Sequence, residues 1–317
     1  MNSSRLPIYT FAPSGRIIDQ QSIHRGVEYL RELGYDVLNT QCIDRAHQRF
    51  AGTDADRLQE INSLAKLPSS IGPCIALAIR GGYGLSRLLP YIEWDGLARA
   101  VDEGLHIVGH SDLTALEIGL FAKTGRKSYA GPMLSYDFGC EGAERSEFTI
   151  HHFLQVAEKH TLDFTDQRNT LSKQSKSFKA EGVLWGGNLS LLNSLIGTSF
   201  FPDNSLIRNG ILFIEDVNEH PYRVERMLFQ LLQAGVLGSQ QAILFGDFSA
   251  YQLNALDHGF DLQSCIHRIQ EELKLNGSST HIFTDLPFGH CRHKLTLPVG
   301  VNCMIKSDAK QFSLKML

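Results

Sequence analysis

The sequence contains no apolar run of about 18 residues or more, so no segment has the length of a membrane-spanning helix. It has no C-x-x-C pair. Its six cysteines, Cys42, Cys74, Cys140, Cys265, Cys291 and Cys303, are scattered along the chain. That excludes a paired-cysteine zinc site and reads as reduced, mostly structural thiols rather than a disulfide framework. There is no H-E-x-x-H, and His290-Cys-Arg-His293 fits no helix-face pair and has no further ligands at suitable spacing, so no metal is expected. Neither sign of charge dominates: 30 Lys+Arg stand against 34 Asp+Glu, a net charge of −4. A strongly basic nucleic-acid binder is thereby excluded. Repeats and low-complexity tracts are missing too. The stretch Met1 to Gly15 is polar and broken by proline, with no apolar leader, which sets a cytoplasmic location as the expectation.

What is present is 317 residues, 43% of them hydrophobic, enough for about two domains and a sizeable core. Short apolar runs alternate with helical patterns. Ile23, Val27 and Leu30 share a helical face that ends at Gly34, and Leu58, Ile61 and Leu64 repeat the spacing. Cys74-Ile-Ala-Leu-Ala-Ile79 and His106-Ile-Val-Gly-His110 read as buried strands, and Ala115 to Lys123 as a helix closed by Gly125. This alternation predicts an α/β fold: an N-terminal parallel-sheet, Rossmann-like domain over residues 1–160. A polar stretch at 161–180 reads as a linker. A C-terminal mixed β/α domain follows over 181–317, with strands at Ile211–Ile214 and Ala242–Phe245. Helices are expected from Pro221 and over Leu262–Leu275, and the tail Leu295–Leu317 reads as extended.

Three segments carry candidate chemistry. Ile79-Arg-Gly-Gly-Tyr-Gly84 runs a strand into glycines, a geometry that brings backbone N–H groups near a ligand or serves a tight turn alone. It is neither G-x-G-x-x-G nor a P-loop, so nucleotide binding gains little support. Val108-Gly-His-Ser-Asp-Leu-Thr114 places Ser111 between a strand and a helix, as in a nucleophile elbow, although Leu113 stands where G-x-S-x-G has its second glycine. An N-cap role for Ser111 or Asp112 is the plain alternative. Glu215 ends an apolar run, and His290 lies in a loop before an extended segment. A serine nucleophile needs a base, and the base an orienting carboxylate. The order Ser111, Glu215, His290 meets that need, but spacing does not choose His290 over His110, His220 or His293.

Taken together, these segments resemble the LD-carboxypeptidase family of serine peptidases. The matching stretches are Ala12–Gly15, Arg80–Gly84, Gly109–Asp112, Gly131–Met133, Leu184–Leu189, Gly210–Leu228 with Glu215, and Phe288–His290 followed by Leu297-Pro298. They cover almost the whole chain in order. The resemblance implies a catalytic triad of Ser111, His290 and Glu215 across an interdomain cleft. It implies an oxyanion hole from the backbone N–H groups of Gly82 and Asp112. The implied reaction releases the terminal D-alanine of the muropeptide L-Ala–γ-D-Glu–diaminopimelate–D-Ala, in a cytoplasmic homodimer without a cofactor. Arg80, Arg223 and Arg292 are candidates for holding the substrate carboxylate, and Tyr83 and Trp185 are candidate substrate contacts, with Trp185 read first as a domain-interface residue. Two other readings stay open: a related peptidase or amidase acting on peptidyl-nucleotides, and a non-catalytic α/β module binding a small anion.

Overall fold

The computed structural model describes residues 5–166 and 177–317. In chain order its strands are β1 (Ile8–Phe11), β2 (Val37–Leu38), β3 (Cys74–Ala78), β4 (Leu105–Gly109), β5 (Ser128–Ala130), β6 (Asp163–Asp166), β7 (Phe178–Asn188), β8 (Ile211–Val217), β9 (Ala242–Ser249), β10 (His281–Phe283), β11 (Leu297–Val299), β12 (Val301–Ser307) and β13 (Phe312–Met316). They build two sheets, ordered β11-β5-β4-β3-β1-β2 and β10-β9-β8-β7-β12-β13-β6.

The first sheet is parallel from β5 to β2, as the continuous apolar runs demand: β3 and β4 are buried at every position. Its strand order reverses between β3 and β1, and the loops after these strands meet where Gly15 N–H donates to Gly81 O at 3.1 Å. Ligand sites of open α/β sheets form at such switch points. In the second sheet β7 to β10 are parallel, while β12, β13 and β6 continue antiparallel.

β11 departs from a division of the chain at residue 181. It pairs antiparallel with β5, Leu297 opposite Ala130, and so belongs to the first sheet. The polar stretch 161–180 also differs from a plain linker. Its ends are strands of the second sheet, and 167–176 lie outside the described residues. Its polarity follows from β6 being an edge strand in which Phe164 alone is buried.

One apolar core joins the two sheets. Its axis is the helix Thr114–Thr124, buried from Thr114 to Phe121. A helix buried on every face belongs inside a protein, and this one takes Glu117 in with its apolar residues. On the far face of the first sheet the helix Gln20–Glu32 buries Ile23, Val27 and Leu30. Asp19 caps its start by accepting Ser22 N–H at 3.2 Å. No helix among the described residues is long and apolar enough to cross a membrane.

The two halves approach closely at Gly187 and Thr114. Gly187 has φ +143°, and a Cβ there would stand 2.5 Å from Thr114 Oγ1. Both the contact and the dihedral exclude a side chain. Gly187→Ala is therefore expected to lower unfolding free energy by about 2–4 kcal/mol, measured by denaturant titration.

Candidate active site

At the end of β4, His110 is extended and Ser111 takes φ +62° before a short 3₁₀ turn feeds the buried helix. A non-glycine residue in the left-handed region costs on the order of 1–3 kcal/mol, and such strain gathers at functional turns. The glycine loop after β3 comes up beside it: a Cβ on Gly81 would lie 2.7 Å from Ser111 Cβ and 2.8 Å from Ser111 Oγ. Gly82 N–H has no acceptor among the described residues. Asp112 N–H lies in the first turn of a helical segment, where no intrahelical acceptor is available. The Asp112 carboxylate turns inward and accepts Leu85 N–H at 3.1 Å, tying the glycine loop to the serine turn. Burial raises its pKa.

Across from Ser111, the ladder between β8 and β9 shifts register between Ile214 and Asp216. Irregularities of this kind re-aim a side chain, and the residue placed there is Glu215, fully buried. Its Oε2 meets His290 Nδ1 at 2.7 Å, and its Oε1 accepts from Asn188 Nδ2 at 3.2 Å. The same amide reaches Asp216 Oδ1 at 3.1 Å. Asp216 Oδ2 in turn accepts from Ser190 N–H and Ser190 Oγ at 2.9 and 2.7 Å. Burial opposes charge on His290, but the hydrogen bond and charge of Glu215 outweigh it, and the imidazole pKa rises above its ordinary value of 6.5. With Nδ1–H on Glu215, Nε2 is the free nitrogen.

The three rival histidines each have another partner. His110 Nδ1 lies 2.8 Å from Gly131 O, so it carries the proton, and Nε2 lies 3.4 Å from Lys294 Nζ. Burial, then the nearby Lys294 and His290, pushes its pKa well below 6.5. His293 Nδ1 bonds Ser146 Oγ at 2.8 Å, and His220 Nε2 bonds Asp257 at 3.2 Å.

Ser111 and His290 open onto one cavity of about 1130 Å³, whose wall also holds Arg80, Gly81, Gly82 and Arg292. Three residues expected as substrate contacts lie elsewhere. Trp185 is fully buried, its indole N–H donating to Gln240 Oε1 at 3.0 Å, so no face is open to a ligand and it acts as a core residue. Tyr83 lies outside the wall, against Phe50 with ring centroids 5.9 Å apart. Arg223 is exposed on an outer helix, 3.7 Å from Glu219. Asn188 lies in the stretch Leu184–Leu189 and Lys294 directly follows His293, and no local spacing gives either of them its partners. Among the described residues no group of three or more His, Cys, Asp or Glu could hold a metal ion.

A serine held on a strained turn and a carboxylate-bound imidazole on the same cavity, in a two-sheet α/β frame, mark a hydrolase of the serine type. Profiles of the LD-carboxypeptidase N-terminal and C-terminal domains match residues 8–131 and 181–305. The chain belongs to the LD-carboxypeptidase family and is a serine carboxypeptidase. It is 28% identical over 292 residues to a probable murein peptide carboxypeptidase of Bacillus subtilis, covering 92% of this chain and 86% of the relative. The microcin C7 self-immunity protein MccF of Escherichia coli is also 28% identical, over 316 residues and 92% and 87% of the two chains. Among solved structures, muramoyltetrapeptide carboxypeptidase from Oxalobacter formigenes superimposes with a TM-score of 0.85 at 37% identity over 98% of each chain.

Two outcomes follow from this geometry. Gly81→Ala displaces the Ser111 side chain, and kcat/KM is expected to fall about 100-fold with the fold retained by circular dichroism. Glu215→Gln removes the charge that raises the His290 pKa, so the imidazole should titrate at lower pH than in wild type by NMR.

Proposed function

We propose that the protein removes the terminal D-alanine from the murein tetrapeptide L-Ala–γ-D-Glu–diaminopimelate–D-Ala. The observation that carries this reading is the 2.7 Å Glu215–His290 contact on the cavity that Ser111 shares. In this mechanism His290 Nε2 takes the Ser111 proton as Oγ attacks the carbonyl before D-Ala. Glu215 holds the tautomer and stabilises the imidazolium. The N–H groups of Gly82 and Asp112 receive the oxyanion, each worth about 3–4 kcal/mol. The imidazolium then protonates the departing amine of D-Ala. Water, deprotonated by His290, hydrolyses the acyl-enzyme and returns the proton to Ser111.

Arg80 is the best-placed cation for the terminal carboxylate. It lines the cavity next to Gly82 and has no carboxylate partner among the described residues; its Nη1 donates to Arg16 O at 2.8 Å. Arg292 lines the same cavity further along the His290 loop, with Nη2 on Ala143 O at 2.7 Å. Acidic groups on the wall, Asp19, Glu141 and Glu144, suit the free amine of diaminopimelate. The similarity to MccF, which has been solved with glutamyl sulfamoyl guanosine and with aspartyl sulfamoyl adenosine, favours a second reading, a peptidase for peptidyl-nucleotides. The cavity supports it less, because Tyr136 is the sole non-histidine aromatic on the wall among the described residues. Family resemblance supports a cytoplasmic homodimer that needs no cofactor.

The test is D-alanine release from tetrapeptide and pentapeptide, alongside cleavage of an aminoacyl-sulfamoyl nucleoside. Release from the tetrapeptide alone is expected. Turnover confined to the nucleoside would replace this reading with the second one. Ser111→Ala should lose at least about 10⁴-fold in kcat; full retained turnover would refute the triad. Arg80→Met should raise KM about tenfold or more and leave kcat nearly unchanged, since a carboxylate clamp binds ground and transition states alike.

A further inference from the structure

The loop that carries His290 continues into Lys294, and this lysine is fully buried. A buried ammonium is expensive unless paired. Lys294 Nζ lies 2.8 Å from Asp137 Oδ1, itself buried, and 3.4 Å from His110 Nε2, and it sits 4.9 Å from the centroid of the Tyr136 ring. Each of these partners leads back to the reacting groups. His110 immediately precedes Ser111, and its ring packs edge-on against His290 at 5.2 Å. The Tyr136 hydroxyl donates to His290 O at 3.4 Å. Asp137 is held by its second oxygen, which accepts Met133 N–H at 2.7 Å. The backbone of the same loop is fastened to the helix Glu147–Lys159, because Thr149 Oγ1 accepts Lys294 N–H at 2.9 Å and donates to Arg292 O at 3.0 Å.

We propose that Lys294, through its buried ion pair with Asp137, is a positioning residue that seats the His290 loop on the serine turn and places a fixed positive charge behind the imidazole. The proposal rests on the Ser111–His290–Glu215 reading. The charged and titratable groups facing His290 are Glu215 and Asp216 from β8, His110 from the end of β4, and Lys294 from its own loop. Those facing Lys294 are Asp137, His110, Tyr136 and Cys291, and Asp247 of β9 stands near Cys291. Glu215 and Asp216 favour the protonated imidazole, whereas Lys294 disfavours it. Two carboxylates alone would hold His290 charged and useless as a base over more of the neutral range. The buried ammonium offsets them, and its burial keeps salt from screening that effect.

The experiment compares wild type, Lys294→Met and Asp137→Asn/Lys294→Met in the pH dependence of kcat/KM on the tetrapeptide, with thermal unfolding measured on each. Lys294→Met should move the acid limb to higher pH by about one pH unit. It should also lower kcat about tenfold through the loosened loop. The double variant buries neither charge, so its stability should recover relative to Lys294→Met while its acid limb stays above that of wild type. A merely structural role predicts that stability and activity recover together and that the limb does not move. An acid limb within about 0.2 pH unit of wild type in the double variant overturns the proposal, and that comparison decides the matter even if Lys294→Met does not fold. Ser111→Ala reads the triad separately: retained turnover there refutes the triad, whereas an inactive Ser111→Ala with an unmoved acid limb removes only the role given to Lys294.

Discussion

The hydrogen bond from Asn188 N–H to Thr114 Oγ1, 3.0 Å long, is the joint on which the site depends. Thr114 begins the helix that leaves the serine turn, three residues after Ser111. Asn188 ends β7 and reaches Glu215 with its side-chain amide, and Glu215 holds His290. A single run of contacts therefore connects the strained serine to the imidazole from inside the protein. It works because Gly187, next to Asn188, lets the strand come up against Thr114 without a Cβ between them.

The His290 loop adds the second attachment. Glu215 reaches the ring from the second sheet, but the loop itself is tied to the first half of the chain through Ser146, Thr149 and Asp137. β11 then enters the first sheet beside β5. The imidazole is thus gripped from both sides, by a carboxylate on one and by backbone and side-chain anchors on the other. Such double support fixes a ring to the tolerance that proton transfer needs. The electrostatics are shared in the same way: two carboxylates of β8 raise the proton affinity of His290, and the ammonium from its own loop lowers it.

Much of this is legible in the sequence. The buried runs at Cys74–Ala78 and Leu105–Gly109, the helical stripe of Ile23, Val27 and Leu30, and the helix Leu262–Leu275 follow from periodicity, because burial on one or both faces is a local demand. Ser111 was visible as a serine between a strand and a helix, and the ordered motifs brought Glu215 and His290 to attention. Trp185 was not legible in the same way. An aromatic residue beside glycines reads first as a packing residue and second as a ligand platform, and the full burial of its indole, with Gln240 as acceptor, places it in the core. The stretch from 161 looked like a linker because an edge strand with one buried residue carries almost no apolar pattern.

Local residue patterns specify the elements and the chemistry available to them: a parallel α/β start, a serine at a strand exit, and a carboxylate and an imidazole later in the chain. These depend on local periodicity and on residue type, which a linear string records in full. The fold supplied what residue spacing leaves open: that His290 Nδ1 and no rival imidazole touches Glu215, that β11 returns to the first sheet, and that Lys294 pairs with Asp137 rather than facing solvent. Those are contacts between residues far apart in the chain. Their geometry is set by how two sheets pack on one central helix, and no spacing in the sequence encodes that directly.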